Sequence, residues 1–91
     1  MPRVKVRFLG IIADEIGINE LTVNAENLSE LLDKLKHTLP KAEKIFDGNN
    51  PRSFIGIVLN NVHINKKYKD LKQIKLKDND VVNLISLASG G

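Results

Sequence analysis

From residue 4 to residue 9 apolar and polar side chains alternate. Val4, Val6 and Phe8 fall on one side, and Lys5, Arg7 and Leu9 on the other. Period-two alternation predicts a strand with one buried face, and Leu9 stands out as an apolar residue on the polar side. Ile11, Ile12 and Ile16, interrupted by Asp14-Glu15 and Gly17, predict a loop that dips into the core. Glu20 to Ala25 predicts a second strand with Leu21 and Val23 inward. The link between the two strands is short enough for antiparallel pairing.

The period then changes. Leu28, Leu31, Leu32, Leu35 and Leu39 recur at helical spacing, one face of an α-helix. Asn27 is a favourable N-cap, and Glu30 three residues on completes a capping-box pattern. Glu30 and Lys34 are spaced to pair on the outer side. Pro40 disfavours helical geometry at Leu39 and ends the helix there.

Lys41 to Phe46 predicts one further turn that buries Ala42, Ile45 and Phe46, and residues 47–51 are dense in turn formers. Phe54 to Leu59 predicts a strongly apolar strand. Asn60-Asn61 follows as a two-residue hairpin turn, because Asn tolerates the positive φ this turn requires, and Val62 and Ile64 continue beyond it. Phe8, Phe46 and Phe54 all read as core. Lys66, Lys67, Lys69, Lys72, Lys75 and Lys77 lie among Tyr68, Leu71, Ile74 and Leu76, a polar segment anchored by its apolar residues. After the Asp78-Asn79-Asp80 turn, Val81 to Leu87 predicts the last strand. The simplest packing lays the leucine-faced helix across one mixed sheet, with the first and last strands adjacent at its centre. That is an α+β, β-grasp (ubiquitin-like) arrangement of four to five strands on one main helix, in a single domain over residues 1–91.

The 91 residues include no cysteine, which removes disulfides and thiolate chemistry and fits a reducing, cytoplasmic setting. No apolar run reaches the roughly 20 residues of a membrane span, and the start, Met1-Pro2-Arg3, shows no signal-peptide pattern. The net charge of +3 arises from 14 Lys and Arg against 11 Asp and Glu, a mildly basic balance that reads as a solvated surface. Nucleic-acid binding calls for basic patches with exposed aromatics, and Tyr68 alone is available. His37 and His63 lack companions at ligand spacing, so no metal site is expected, and Asp78 and Asp80 read as turn residues.

The candidate chemistry lies at the end of the sequence. Leu84 to Leu87 reads as strand, and Ala88-Ser89-Gly90-Gly91 as a thin arm of small residues. Its expected working group is the α-carboxylate of Gly91. Taken alone, a final Gly-Gly is also compatible with a frayed end.

Several segments together resemble the MoaD/ThiS family of ubiquitin-like sulfur carriers, closest to its MoaD branch. Val4-Lys5-Val6-Arg7-Phe8 is similar to the family's first strand. Leu59-Asn60-Asn61 is similar to its hydrophobic-Asn-Gly hairpin, and Leu76 to Val82 to its Leu-x-Asp-Gly-Asp-x-Val turn and strand. Gly90-Gly91 matches its diglycine. Asn61 and Asn79 stand where glycine is usual, and Ser86-Leu87 replaces a proline-containing approach to the tail. The resemblance implies that the Gly91 carboxylate is adenylated and converted to a thiocarboxylate, which supplies sulfur for molybdopterin (molybdenum cofactor) biosynthesis. It implies an E1-like adenylating enzyme, a sulfur donor and a molybdopterin synthase large subunit as partners. ATP and Mg²⁺ belong to the activating partner, and the carrier binds no cofactor of its own. Carriers for thiamin or tRNA thiolation, and modifiers joined to lysines through the same tail, share this pattern. A β-grasp binding module with an inert tail is the remaining reading.

Gly90 and Gly91 carry no Cβ, and Ser89 and Ala88 are small, so this arm fits a narrow channel. Extended, residues 88–91 reach about 13 Å. Strand alternation turns Ile85 and Leu87 outward when Val82 and Leu84 face the core. With Leu9 and His63 they form the expected docking patch beside the tail; scattered surface apolar residues are the alternative.

Overall fold

The computed structural model of the protein describes residues 1–64 and 68–86. In chain order the elements are β1 (Arg3–Leu9), α1 (Ile11–Ile16), β2 (Glu20–Asn24) and α2 (Leu28–Thr38). A 3-10 turn at Ala42–Lys44 follows, then β3 (Phe46–Asp47), β4 (Asn50–Pro51), β5 (Ile55–Leu59), β6 (Val62–Ile64), α3 (Tyr68–Leu71) and β7 (Val81–Ser86).

The main sheet has five strands in the order β2-β1-β7-β5-β6. The central pair, β1 and β7, is parallel, and every other pairing in that sheet is antiparallel. This is the mixed β-grasp sheet expected from the sequence. Val4, Val6 and Phe8 of β1, Val82 and Leu84 of β7, and Ile55 and Ile57 of β5 all point to one side and are buried. Leu28, Leu31, Leu32 and Leu35 of α2 cover them, each buried to 2% exposure or less. Burying such a side chain stabilises by about 1.5–3 kcal/mol, so this one helical face provides much of the core.

The start of α2 is doubly capped. Asn27 Oδ1 accepts from the Glu30 backbone N–H at 2.8 Å, and Glu30 Oε1 accepts from the Glu26 N–H at 2.6 Å. The expected Glu30–Lys34 ion pair does not form. The Glu30 carboxylate is taken up by this cap, and Lys34 Nζ donates instead to the Asn24 carbonyl at 2.5 Å. The helix stops as Pro40 dictates, with Leu39 extended at ψ 137°. Across the helix start, Leu28 N donates to Ile74 O and Leu76 N to Glu26 O, both at 3.0 Å. These bonds hold the lysine-rich segment while Leu71 and Leu76 enter the core and Lys72, Lys75 and Lys77 face water. Lys66 and Lys67, and the side chains of Tyr68 and Lys69, lie outside the described residues.

Three further sequence expectations are corrected. Residues 11–16 form a helix, not a loop; Ile12 and Ile16, four apart, both reach the core, and Gly17 closes the helix in the left-handed conformation at φ 74°. The turn-rich stretch contains a small second sheet, β3 paired with β4. Phe54 is not core. It stops one residue short of β5 and is 38% exposed, whereas Phe46 is 4% exposed. Phe54 lines a shallow cleft of about 390 Å³ with Glu15, Glu43, Lys44 and Arg52.

Candidate functional site

The order of the sheet determines where the chain end is carried. β7 lies between β1 and β5, so Ser86 leaves from the middle of the sheet rather than from an edge. On one side of it β1 ends and turns through Gly10 into α1; on the other, β5 begins, with Ile55 opposite Ser86. Leu87, Ala88, Ser89, Gly90 and Gly91 lie outside the described residues. What the structure supplies is the base of the tail and the surface next to it.

That surface is the face of the sheet turned away from α2. Leu9 lies in register with Ile85, and Gly56 faces Ile85 from the other side. The adjacent row runs Arg7, Asn83, Val58, His63. Leu9, Ile85 and Val58 are half-buried and His63 is exposed. The structure thus brings Leu9 and Ile85 together as expected. It places His63 on the same face but two strands from Ile85, with Val58 as its direct neighbour. Val58 was missed, although its parity with Gly56 places it there.

Charge is arranged along the same face. Arg3, Lys5 and Arg7 alternate outward along β1 and are exposed, leading up to Leu9. Glu20 on β2 lies 3.7 Å from Lys5 Nζ and 3.9 Å from Arg7 Nε. These groups are about half exposed, so each pair contributes little to stability. A shallow cavity of about 280 Å³ between Arg7, Asn60, Asn61, Val81 and Asn83 opens on this face. The face is therefore apolar next to the tail and basic along β1, suited to a partner with an apolar centre and an acidic margin.

The opposite end of the sheet holds the two turn motifs. Asn60 and Asn61 take φ 47° and 71°, and Asn79 takes φ 72°, so each Asn adopts the left-handed conformation that glycine favours. Asp78 Oδ1 accepts from Arg3 N at 2.8 Å and Asp80 Oδ2 from Lys77 N at 2.7 Å. Both carboxylates are thus occupied with backbone amides, as turn residues.

Sequence reasoning also missed Ile11. It is 68% exposed at the first position of α1, immediately after Gly10. Its signal was the spacing of Ile12 and Ile16, which turns Ile11 off the buried face of a helix. Among the described residues no group of three or more His, Asp or Glu side chains is gathered to hold a metal, and no helix is long and apolar enough to cross a membrane.

Comparison with known proteins agrees with this geometry. The profile of the ThiS family matches residues 6–91. No curated protein matches the sequence. Among solved structures, the small archaeal modifier protein 1 of Methanosarcina acetivorans superposes with a TM-score of 0.76 at 25% identity, covering 100% of this chain and 98% of that one. The complex of subunits 1 and 2 of the molybdopterin-converting factor from Helicobacter pylori gives a TM-score of 0.67 at 29% identity, covering 98% and 99%. Urm1 of Sulfolobus solfataricus gives 0.67 at 26% identity, covering 91% and 99%.

Proposed function

This chain belongs to the ThiS family of ubiquitin-like sulfur carriers, and on that premise we propose that it carries sulfur on Gly91 for molybdopterin biosynthesis. The observation that supports this most is the reach of the family match, which runs from Val6 in β1 through the rest of the β-grasp body and on through Gly90-Gly91. The likeness to the Helicobacter pylori molybdopterin-converting factor complex favours the molybdopterin branch.

A carboxylate is a poor electrophile. Adenylation by an activating partner, which brings its own ATP and Mg²⁺, makes it a mixed anhydride with AMP as leaving group. A donor of sulfide-level sulfur then forms a C–S bond at the acyl carbon as the C–O bond to AMP breaks, which leaves a thiocarboxylate at Gly91. The body's part is positional. β7 anchors the arm at the centre of the sheet, Leu9 and Ile85 offer the docking surface, and the small residues 88–91 enter the partner's channel. The same surface would then serve the synthase large subunit, in the cytoplasm.

The test is intact-mass spectrometry of the chain after incubation with its cognate adenylating enzyme, ATP and a sulfur donor. Oxygen-for-sulfur exchange at Gly91 is expected, and its absence would exclude the proposal. Transfer to a pterin precursor in the presence of a synthase large subunit tests the finer assignment.

A second reading, conjugation to lysines through the same activated tail, is favoured by the likeness to the small archaeal modifier protein. Tagged chain in host lysate would then yield higher-mass adducts that disappear on deletion of Gly91.

A further inference from the structure

Gly10 joins β1 to α1 at φ 82° and ψ −157°, a region open essentially to glycine. It also lies against the last residue of β7. A Cβ at Gly10 would collide with Ser86 Oγ, and would stand 3.3 Å from the Ser86 carbonyl oxygen and 3.5 Å from its nitrogen. Ser86 Oγ is buried and has no hydrogen-bond partner among the described residues. A buried hydroxyl without a partner is a net cost, so hydrogen bonding does not explain its position. Ser86 is confined on its other side by its pairing with Ile55 of β5. The end of β7 is thus held between two backbones, and the absence of a side chain at Gly10 lets it lie there.

We propose that the Gly10 backbone lying against Ser86 is a pivot that fixes the backbone direction at the end of β7, and that Gly10 is a positioning residue for presenting Gly91 to the activating enzyme. The second half rests on the sulfur-carrier reading; the pivot itself does not. Five extended residues make an arm of about 16 Å, so a tilt of about 20° at its base moves the far end by roughly 5 Å. In a narrow channel the arm is extended, and the docked body must aim it along the channel axis. Misplacing a reacting group by about 1 Å can cost on the order of a hundredfold in rate. Docking, in contrast, uses Leu9 and Ile85 on the outer face, so the pivot acts on kcat more than on KM.

The test uses the full chain as substrate of its cognate adenylating enzyme with ATP, following pyrophosphate release. Gly10→Ala is expected to lower kcat at least tenfold with KM within about twofold. Ser86→Ala alone, which removes only the unpartnered hydroxyl, is the reference against which the double variant is read. The double variant Gly10→Ala with Ser86→Ala recovers most of kcat, because the colliding atom is gone. The positive φ strains the substituted position in both backgrounds, so a lowered Tm persists in the double variant while kcat recovers. Should Gly10→Ala fail to fold, Ser86→Val crowds the contact from the strand side with Gly10 intact, and a fall in kcat at unchanged KM is expected. Unchanged kcat in Ser86→Val, or a loss in Gly10→Ala that Ser86→Ala does not relieve, overturns the pivot. Residual dipolar couplings of amides 87–89 provide a readout independent of any enzyme. They should shift in Gly10→Ala or Ser86→Val and return in the double variant; no shift overturns the pivot even where the wild type is never adenylated, a result that by itself counts only against the sulfur-carrier reading.

Discussion

Asn60 and Asp80 join the β5–β6 hairpin to the start of the last strand. Asn60 Nδ2 donates to Asp80 Oδ1 at 2.8 Å, and Asn60 Oδ1 accepts from the Val81 N–H at 2.9 Å. The Asn60 backbone N–H returns a bond to Val81 O, also at 2.9 Å. One side chain therefore links two turns that are distant in sequence, at the end of the sheet away from Ser86.

Asn60→Ala removes both side-chain bonds and puts a Cβ without polar compensation at φ 47°. Each exposed bond contributes about 0.5–1 kcal/mol and the left-handed conformation costs about 1 kcal/mol, so a loss of about 2 kcal/mol is expected. Asn60→Gly loses the bonds but fits the backbone, and should cost about 1 kcal/mol by the same reckoning. Urea unfolding of the pair checks this; Asn60→Gly less stable than Asn60→Ala would show that the bonds and the φ angle are not the terms that matter.

The other two asparagines with positive φ, Asn61 and Asn79, sit at turn positions. Because Asn61 and Asn79 adopt φ 71° and 72°, Asn61→Gly and Asn79→Gly should each change stability by no more than about 0.5 kcal/mol. Asn79→Val, a β-branched residue forced left-handed, should cost about 2 kcal/mol. Thermal melts of the three variants decide it, and equal losses for glycine and valine would contradict the turn assignment.

These contrasts show what could be read from the sequence. α2 was readable because its signals are local: leucines at helical spacing, Asn27 at the N-cap, Pro40 at the stop. The Asn60-Asn61 hairpin was readable because its conformation restricts its composition. α1 was not, since a short run between two glycines gives too few periods to separate from a loop. Phe54 was misplaced because apolarity alone does not say where a strand begins; that depends on Ser86 of β7 facing Ile55 and not Phe54. The outward face of Leu9 and Ile85 followed from parity once β1 and β7 were set side by side. The Gly10–Ser86 contact joins residues near opposite ends of the chain and has no local trace.

Phe46 and Phe54 offer a direct test of that correction. Phe46 is 4% exposed within the core and Phe54 is 38% exposed in the cleft with Glu15 and Lys44. Phe46→Ala should cost about 3–5 kcal/mol, enough to remove much of the stability of a domain of this size. Phe54→Ala should cost no more than about 1.5 kcal/mol, in proportion to the smaller area it buries. Guanidinium unfolding of both distinguishes them, and similar midpoints would return Phe54 to the core.

The proposed docking face makes the sharpest functional prediction. Leu9 and Ile85 lie in register across the parallel β1–β7 pair, beside the strand end that carries the tail. Both are half-buried within the free protein, so a partner that covers them gains apolar area without reorganising the core. Ile85→Lys should weaken binding to the cognate adenylating enzyme by at least about tenfold, roughly 1.4 kcal/mol. Leu9→Ala should weaken it by less, through lost area alone. Because the two residues are neighbours on one face, their effects should not add; a coupling of about 0.5–1 kcal/mol is expected in a double-mutant cycle read by calorimetry. His63→Ala, two strands away and beside Val58, should add independently of both. Coupling of His63 to Ile85 equal to that of Leu9, or full binding by Ile85→Lys, would show that the partner engages a different face of the sheet.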